Sequence, residues 1–421
     1  MISKQKGTLD IYGEYGKKWN YVNDVISAVF EKYNYGYIRT PLFEATDLFH
    51  RGVGETTDIV TKETYDFKDR GDRNITLRPE GTAGVVRAYI ENKMYGEPSQ
   101  PTKLFYMGTM YRYERPQSGR LREFSQYGCE VLGTNDPAVD AEIIALAVTI
   151  LEILGLKGVK ARINSLGDNE SRNNYREALI NYLTPHINDL CEDCQERINK
   201  NPLRILDCKV DAENSIIKNA PTTIDYLNEE SLNRFNKVKE YLDLMNIPYE
   251  VDPSVVRGLD YYNHTVFELV ANIPDVDPNF ALGGGGRYNS MVKELDGPDT
   301  SAMGFAGGMD RLMLALERNE AKLNYRDSID AFIMYVNDNE KDYAVSLAQS
   351  LRVNGFVTDM EYLGRNLKGQ FKEADRLNAR FLIILNSDDI KEGQVNVKDN
   401  STKEEKKVLE SELIDYLDMN I

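Results

Sequence analysis

The segment LFYMGTMYRYERPQSGRLREFSQYGCEVLG, residues 104–133, decides how the chain is read, because charge, aromatic rings and strand-like alternation are densest there. Side chains of an extended strand alternate between faces, so Gly108, Met110, Arg112 and Glu114 share one face of a first strand. Arg122, Phe124, Gln126, Gly128 and Glu130 share one face of a second, and the polar run 115–121 between them fits a hairpin connection. Two antiparallel strands would then turn guanidinium groups, two carboxylates, an amide and a ring to a common surface. A merely solvated sheet face rarely alternates Arg, Phe, Gln and Gly beneath a charged loop. The pair therefore reads as the floor of a binding site.

At 421 residues the chain exceeds one ordinary hydrophobic core and predicts two or three domains. It contains no run of about 18 apolar residues and no charged-then-apolar leader, which predicts a cytoplasmic globular protein with no membrane partner. A net charge of −17 counts against a nucleic-acid partner if averaged over the chain, because phosphate binding is largely a cation effect. Locally the balance differs. Arg115, Arg120 and Arg122 sit in the hairpin, and Arg365 to Arg380 holds five Lys or Arg against two acids, although such clusters are commonly solvated faces.

Four cysteines in so long a chain do not make a disulfide scaffold. Cys191-x-x-Cys194 with Cys208 fourteen residues on hints at zinc. The fourth ligand is not apparent, since His186 and Asp211 are both nearby and neither has a regular finger spacing. Reduced structural thiols without a metal are the expectation.

Outward from the hairpin, Trp19, Val22, Ile26, Val29, Phe30 and Tyr33 recur every three or four residues and predict an amphipathic helix over 17–33. The following YIRTPLFE reads as a strand that Pro41 confines to an edge or bulge. NITLRPEGT, 74–82, runs from strand into helix, with Glu80 beside it and Thr82 placed to cap it. Residues 136–155 predict an apolar helix, KARINSLGD a strand, and the helical, charged, cysteine-bearing stretch that follows an insertion. VVRGLDYY, 255–262, sets Arg257 among Gly258 and two tyrosines; a buried arginine there requires an anionic partner, structurally Asp260 or else a ligand. GGGGRY, 283–288, is neither a dinucleotide fingerprint nor a P-loop, and its glycines are expected to let a strand approach a ligand closely. MGFAGGMDRLMLALE predicts a strand entering a helix with Arg311 in its first turn, where free N–H groups and the helix dipole favour anions. From about residue 326, strands and helices alternate as a separate α/β domain.

R-x-E, a short loop and F-x-Q, here Arg112, Glu114, Phe124 and Gln126, resemble motif 2 of the class II aminoacyl-tRNA synthetases. The helix with its proline-bearing strand resembles motif 1, which forms the dimer interface in that family, and the Arg311 segment resembles motif 3. More narrowly, RYERPQSGR and VVRGLDYYNHTVFE resemble the histidyl-tRNA synthetase family, over nearly the whole chain. The resemblance implies an α+β catalytic domain built on an antiparallel sheet of class II synthetase type, in two parts (1–168 and 249–325). Between them it implies a helical insertion domain (169–248), and after them a C-terminal α/β anticodon-binding domain (326–421).

The implied reaction activates L-histidine with ATP and transfers it to the 3′ end of tRNA(His). It is carried out by a homodimer, with ATP as substrate, Mg2+ accompanying the phosphates and no tightly bound cofactor. Arg112 and Arg257 would be catalytic, bracketing the α-phosphate. Glu114, Arg120, Phe124 and Arg311 would join Arg112 on ATP. Glu80, Thr82, Gln126, Glu130, Tyr261, Tyr262 and Tyr288 would surround histidine together with both catalytic arginines, while Arg115 and Gln117 would touch the tRNA acceptor end. The competing reading is a non-catalytic, histidine-binding regulatory subunit of ATP phosphoribosyltransferase, which lacks the C-terminal domain and has a degraded histidine motif; both are present here. Another class II synthetase with the same C-terminal domain is disfavoured by RGLDYY. Three departures stand against the family pattern: Ser125 for the His of F-H-Q, Asp310 for the Glu of G-x-E-R, and Tyr12-Gly13 for Leu-Pro. Asp310 bears on how Arg311 is supported.

Overall fold

Strand alternation and proline placement translate directly into sheet order. The computed structural model describes residues 2–54, 57, 59–117, 119–206, 208, 210–211, 213–256, 261–277 and 280–421. The helix Gly13–Lys32 buries Trp19, Val22, Ile26, Val29 and Phe30 along one face. After it, Pro41 separates two short strands, β1 (Gly36–Tyr37) and β2 (Phe43–Ala45). β2, β3 (Tyr65–Lys68) and β4 (Asn74–Leu77) form a small antiparallel sheet in the order β2-β4-β3. β1 lies at the edge of the main sheet and β2 at the edge of the small one, with Pro41 in the connection, where it interrupts no ladder.

That main sheet continues with β5 (Thr102–Tyr111), β6 (Glu123–Leu132), β7 (Lys160–Ser165), β8 (Tyr249–Val251), β9 (Asn263–Val270), β10 (Gly283–Arg287) and β11 (Ala302–Gly308). Its order is β1-β5-β6-β11-β10-β9-β7-β8. Pairing is antiparallel from β5 through to β7 and parallel only at the two outermost pairs. This is the antiparallel sheet that the resemblance implies. In the β5–β6 hairpin Gly108 faces Gln126 and Met110 faces Phe124, the register that the alternation predicts. Arg122 departs from it. β6 begins only at Glu123, so the alternation does not extend to Arg122, whose guanidinium stacks 4.0 Å from the Tyr113 ring centroid instead.

Between β7 and β8 lie the helices Asn169–Leu183, Glu192–Lys200 and Glu229–Leu244, as the charged helical stretch predicts. Asp168 and Asn228 cap the first and last by accepting from the N–H groups of Ser171 and Ser231. A separate apolar cluster of Tyr175, Leu179, Leu183, Leu190, Cys194, Ile198, Ile205 and Cys208 holds this region together.

A buried ion pair that sequence patterning does not reveal ties β10 to the helix Pro137–Ile153. Arg287, at the end of β10, and Asp140, on the helix Pro137–Ile153, are both fully buried. Arg287 Nε donates to Asp140 Oδ1 at 2.8 Å and Nη1 to the Thr134 carbonyl at 2.9 Å. Asp140 Oδ2 accepts from Thr265 Oγ1 at 2.7 Å and from Arg234 at 3.2 Å. Every face of the carboxylate is thus engaged, the condition under which a buried pair survives desolvation.

Residues 324–421 together with 12–17 make a second compact unit. Its sheet has the order β13-β12-β14-β15-β16, from β12 (Ala331–Tyr335), β13 (Thr358–Met360), β14 (Phe381–Leu385), β15 (Gln394–Asp399) and β16 (Glu405–Leu409). Pairing is parallel among β13, β12 and β14 and antiparallel beyond. Of the basic cluster, Arg365 pairs with Glu361 and Glu373, Arg376 with Glu373, and Arg380 with Asp399. Much of its charge is therefore spent inside the domain. Among the described residues no helix is long and apolar enough to cross a membrane.

Candidate active site

The hairpin face supplies two adjoining environments, one cationic and one lined by tyrosines and carboxylates. Arg112 follows the last residue of β5, and its backbone N–H still donates to the Arg122 carbonyl at 2.9 Å. Its Nε donates to the Pro79 carbonyl at 2.9 Å, and its guanidinium lies 5.3 Å from the Phe124 ring centroid. Glu114 stands between two cations, 3.8 Å from Arg112 and accepting from Arg120 at 3.2 Å.

Arg311 reaches the same loop from the first turn of the helix Met309–Arg318. It donates to the carbonyls of Ala281 at 2.6 Å and Gly119 at 3.3 Å, and lies 4.7 Å from the Phe280 ring centroid. Burial, with Arg120 and Arg112 nearby, pushes its pKa down to about 10, opposed by Glu114 and Glu268. Arg112, Arg120 and Arg311, separated by up to about 200 residues in sequence, are thus close enough to repel, an arrangement that an anion would relieve. The support for Arg311 is carbonyl oxygen. Asp310 instead accepts the Ser125 N–H at 2.9 Å and so ties the helix to β6.

Next to these cations, Glu130 is fully buried. It accepts from Thr82 Oγ1 at 2.7 Å, Tyr288 OH at 2.5 Å and Tyr106 OH at 3.4 Å. Tyr261 packs against Tyr262 and Tyr288 with centroids at 4.6 and 5.6 Å. Gln126 Oε1 is buried with no hydrogen-bond partner among the described residues; an acceptor left so costs about 1–3 kcal/mol, which a ligand donor would recover.

The helix cap expected of Thr82 is supplied by Glu80. Thr82 spends its hydroxyl on Glu130, and Glu80 caps the helix Thr82–Glu91, its two oxygens accepting from the N–H groups of Thr82 at 2.9 Å and Ala83 at 2.7 Å. Burial raises the Glu80 pKa against those bonds and the nearby Arg112. Sequence reasoning missed Tyr106, although it lies on the same face of β5 as Gly108, and Phe280, for which no pattern exists.

The glycine run also serves a different neighbour. A Cβ on Gly285 would stand 2.0 Å from the Gly304 carbonyl oxygen, and one on Gly286 would stand 2.7 Å from the Tyr262 ring. These glycines make room for the next strand and for Tyr262. Arg115 and Gln117 lie exposed on the loop. Arg257, with its candidate partner Asp260, falls outside the described residues.

Burial, with Glu80 adding repulsion, lifts the Glu130 pKa from 4.5 to about 8 despite the hydroxyl donors. Between those values only the folded chain holds the proton. The stabilisation is therefore complete below about pH 4.5 and is lost as pH rises through 8, at about 1.4 kcal/mol per pH unit. Glu130→Gln removes the titrating group, so its urea midpoint should fall less steeply than that of the parent between about pH 5 and 8. Equal slopes would contradict this reading.

The family model for histidyl-tRNA synthetase matches residues 8–312, and that for the anticodon binding domain matches 330–420. A histidine–tRNA ligase of Bacillus velezensis is 50% identical over 412 residues, covering 98% of this chain and 97% of that one. The enzyme of the same name from Bacillus subtilis is 49% identical over 415 residues, 99% and 98% of the two chains. The crystal structure of apo Staphylococcus aureus histidyl-tRNA synthetase superposes with a TM-score of 0.85 at 44% identity, over 99% of this chain and all of that one. With 99% of its length matched by fold and nearly all of it matched by sequence, the chain belongs to the histidyl-tRNA synthetase family.

Proposed function

We propose that the chain activates L-histidine with ATP and transfers it to tRNA(His), the cationic cluster holding the triphosphate and the tyrosine–carboxylate pocket holding histidine. The observation that carries this reading is the adjacency of the two environments: Phe124 touches Arg112 on the cationic side, while Gln126, on the same strand face, leaves a buried acceptor open on the other.

A histidine carboxylate oxygen attacks the α-phosphorus, forming one P–O bond as the bond to pyrophosphate breaks. A terminal ribose hydroxyl of the tRNA then takes the histidyl group and releases AMP. The first step needs fixed cations and positioning more than a side-chain nucleophile. Arg112 and Arg257 bracket the α-phosphate, Arg120 and Arg311 hold the outer phosphates, Phe124 stacks on adenine, and Glu114 orders Arg112 and Arg120. Glu130, Gln126, Thr82 and the three tyrosines contact histidine, and Glu80 shapes the pocket through the turn it caps. Magnesium, when bound, neutralises phosphate charge. Glu114 and Glu268, both near Arg311, offer the one or two carboxylates that this ion usually takes beside substrate phosphates.

Arg115 and Gln117 are exposed and so free to meet the acceptor end. We place the working form in the cytoplasm as a homodimer, with 1–168 and 249–325 as the catalytic domain, 169–248 as the insertion domain and 326–421 as the anticodon-binding domain. Tyr37 in β1, Phe43 in β2 and Leu42 just before β2 are exposed, apolar surface suited to the partner subunit. The regulatory-subunit alternative loses force because the anticodon-binding match is present.

The test is ATP–pyrophosphate exchange across a panel of amino acids. Exchange should require histidine; exchange driven equally by another amino acid would overturn the assignment. Arg311→Ala should raise the KM for ATP at least about tenfold, since a hydrogen bond to a charged group contributes roughly 1.5–3 kcal/mol. An unchanged KM would place the triphosphate elsewhere.

A further inference from the structure

Three thiols and one carboxylate meet in the helical region between β7 and β8, apart from the site above. Cys191 is the N-cap of the helix Glu192–Lys200, and Cys194 lies in its first turn. Cys208 and Asp211 follow the short helical stretch Pro202–Ile205. One donor atom from each residue lies within 4.8 Å of all the others. The Cys191 and Cys208 sulfurs are 3.6 Å apart, and all the cysteines are free. Cys194, Cys208 and Asp211 are buried, Cys191 partly so.

The spacing discriminates between chemistries. A disulfide holds its sulfurs about 2.05 Å apart. Four-coordinate zinc, with Zn–S bonds of about 2.3 Å, spaces sulfur ligands about 3.8 Å apart, which is the scale found here. Three sulfurs suit zinc and exclude the hard cations, which take oxygen. The carboxylate is held in place, because Asp211 Oδ2 accepts the Cys191 N–H at 3.0 Å. Asn214 Nδ2 donates to the Asp189 carbonyl at 3.2 Å and latches the same two segments once more. His186, the other sequence candidate, instead faces the Tyr182 ring. The cluster also sits where reinforcement has a purpose: Cys194 and Cys208 belong to a small apolar core, and small cores are commonly stapled by a metal.

We infer that Cys191, Cys194, Cys208 and Asp211 form a tetrahedral zinc site that staples this helical region. Four protein donors leave no open position, so the metal is structural. Each cysteine binds as thiolate and releases its proton to solvent.

The test uses the full chain, reduced, supplied with zinc chloride and desalted, with zinc measured by mass spectrometry. About one zinc per chain is expected. Retention should fall at least tenfold in Cys194→Ser and Cys208→Ser, and should persist in Cys129→Ser, whose thiol lies in β6. Asp211→Ala should lose zinc to a competing chelator at least tenfold more readily. Cobalt(II) added to the parent chain gives a readout independent of variant folding: thiolate charge-transfer bands and intense tetrahedral d–d bands, both bleached by zinc. A reduced chain that keeps no zinc and shows no such bands would overturn the inference. So would equal retention in Cys194→Ser, or a Cys191–Cys208 disulfide in the freshly isolated chain.

Discussion

Replacing Arg112 with alanine should slow histidine-dependent ATP–pyrophosphate exchange roughly 10²- to 10³-fold, the cost of losing one preorganised donor aimed at developing charge, about 3–4 kcal/mol. The side chain is held before any ligand arrives, by the Pro79 carbonyl at 2.9 Å, by Glu114 and by the Phe124 ring. Little reorganisation remains to be done in the transition state, so the loss should fall on kcat, with KM for histidine changing much less. Arg112→Lys should recover little, because an ammonium can neither donate along two parallel directions nor lie flat on Phe124. Rapid-quench measurement of adenylate formation separates this from a defect in transfer to tRNA. A variant that forms adenylate within about threefold of the parent rate would remove Arg112 from the chemistry.

Asp140→Ala should cost the fold about 3–5 kcal/mol, the penalty for stranding one member of a buried ion pair. Arg287 has no route to solvent, and its Nε would lose the carboxylate that it meets at 2.8 Å. Thr265 and Arg234 would lose the same acceptor. Trp19, the one tryptophan of the chain and packed within the catalytic unit, gives a fluorescence readout of urea unfolding. A midpoint equivalent to a loss under about 1 kcal/mol would show that the pair contributes little. Replacing both partners by apolar residues of similar volume should cost much less than the single change, because no charge is then left unpaired.

The hairpin was legible because period-two alternation and antiparallel pairing obey one rule: the face predicted from Gly108, Met110, Phe124 and Gln126 is the face that forms. Legibility ended where the strand did, at Arg122, where a nearby ring captured the guanidinium. Local capping patterns identified the right turn and the wrong capper. Thr82 has the residue type of a cap, but a buried carboxylate 48 residues away takes its hydroxyl, and Glu80 supplies the cap instead. The Asp140–Arg287 pair spans 147 residues, and no periodicity links two points so far apart. The choice of Asp211 over His186 was open for the same reason: the fold, not the spacing, brings one of them to the thiols.

Whether the two environments hold one triphosphate and one imidazole side by side is settled by a crystal structure of the chain with ATP and histidinol, which lacks the carboxylate needed for reaction. The α-phosphate should lie within hydrogen-bond reach of Arg112, the outer phosphates at Arg120 and Arg311, and the imidazole ring among Gln126, Glu130 and the tyrosines. Density for the nucleotide away from Arg112 and Arg311, or for the imidazole outside the pocket around Glu130, would contradict it.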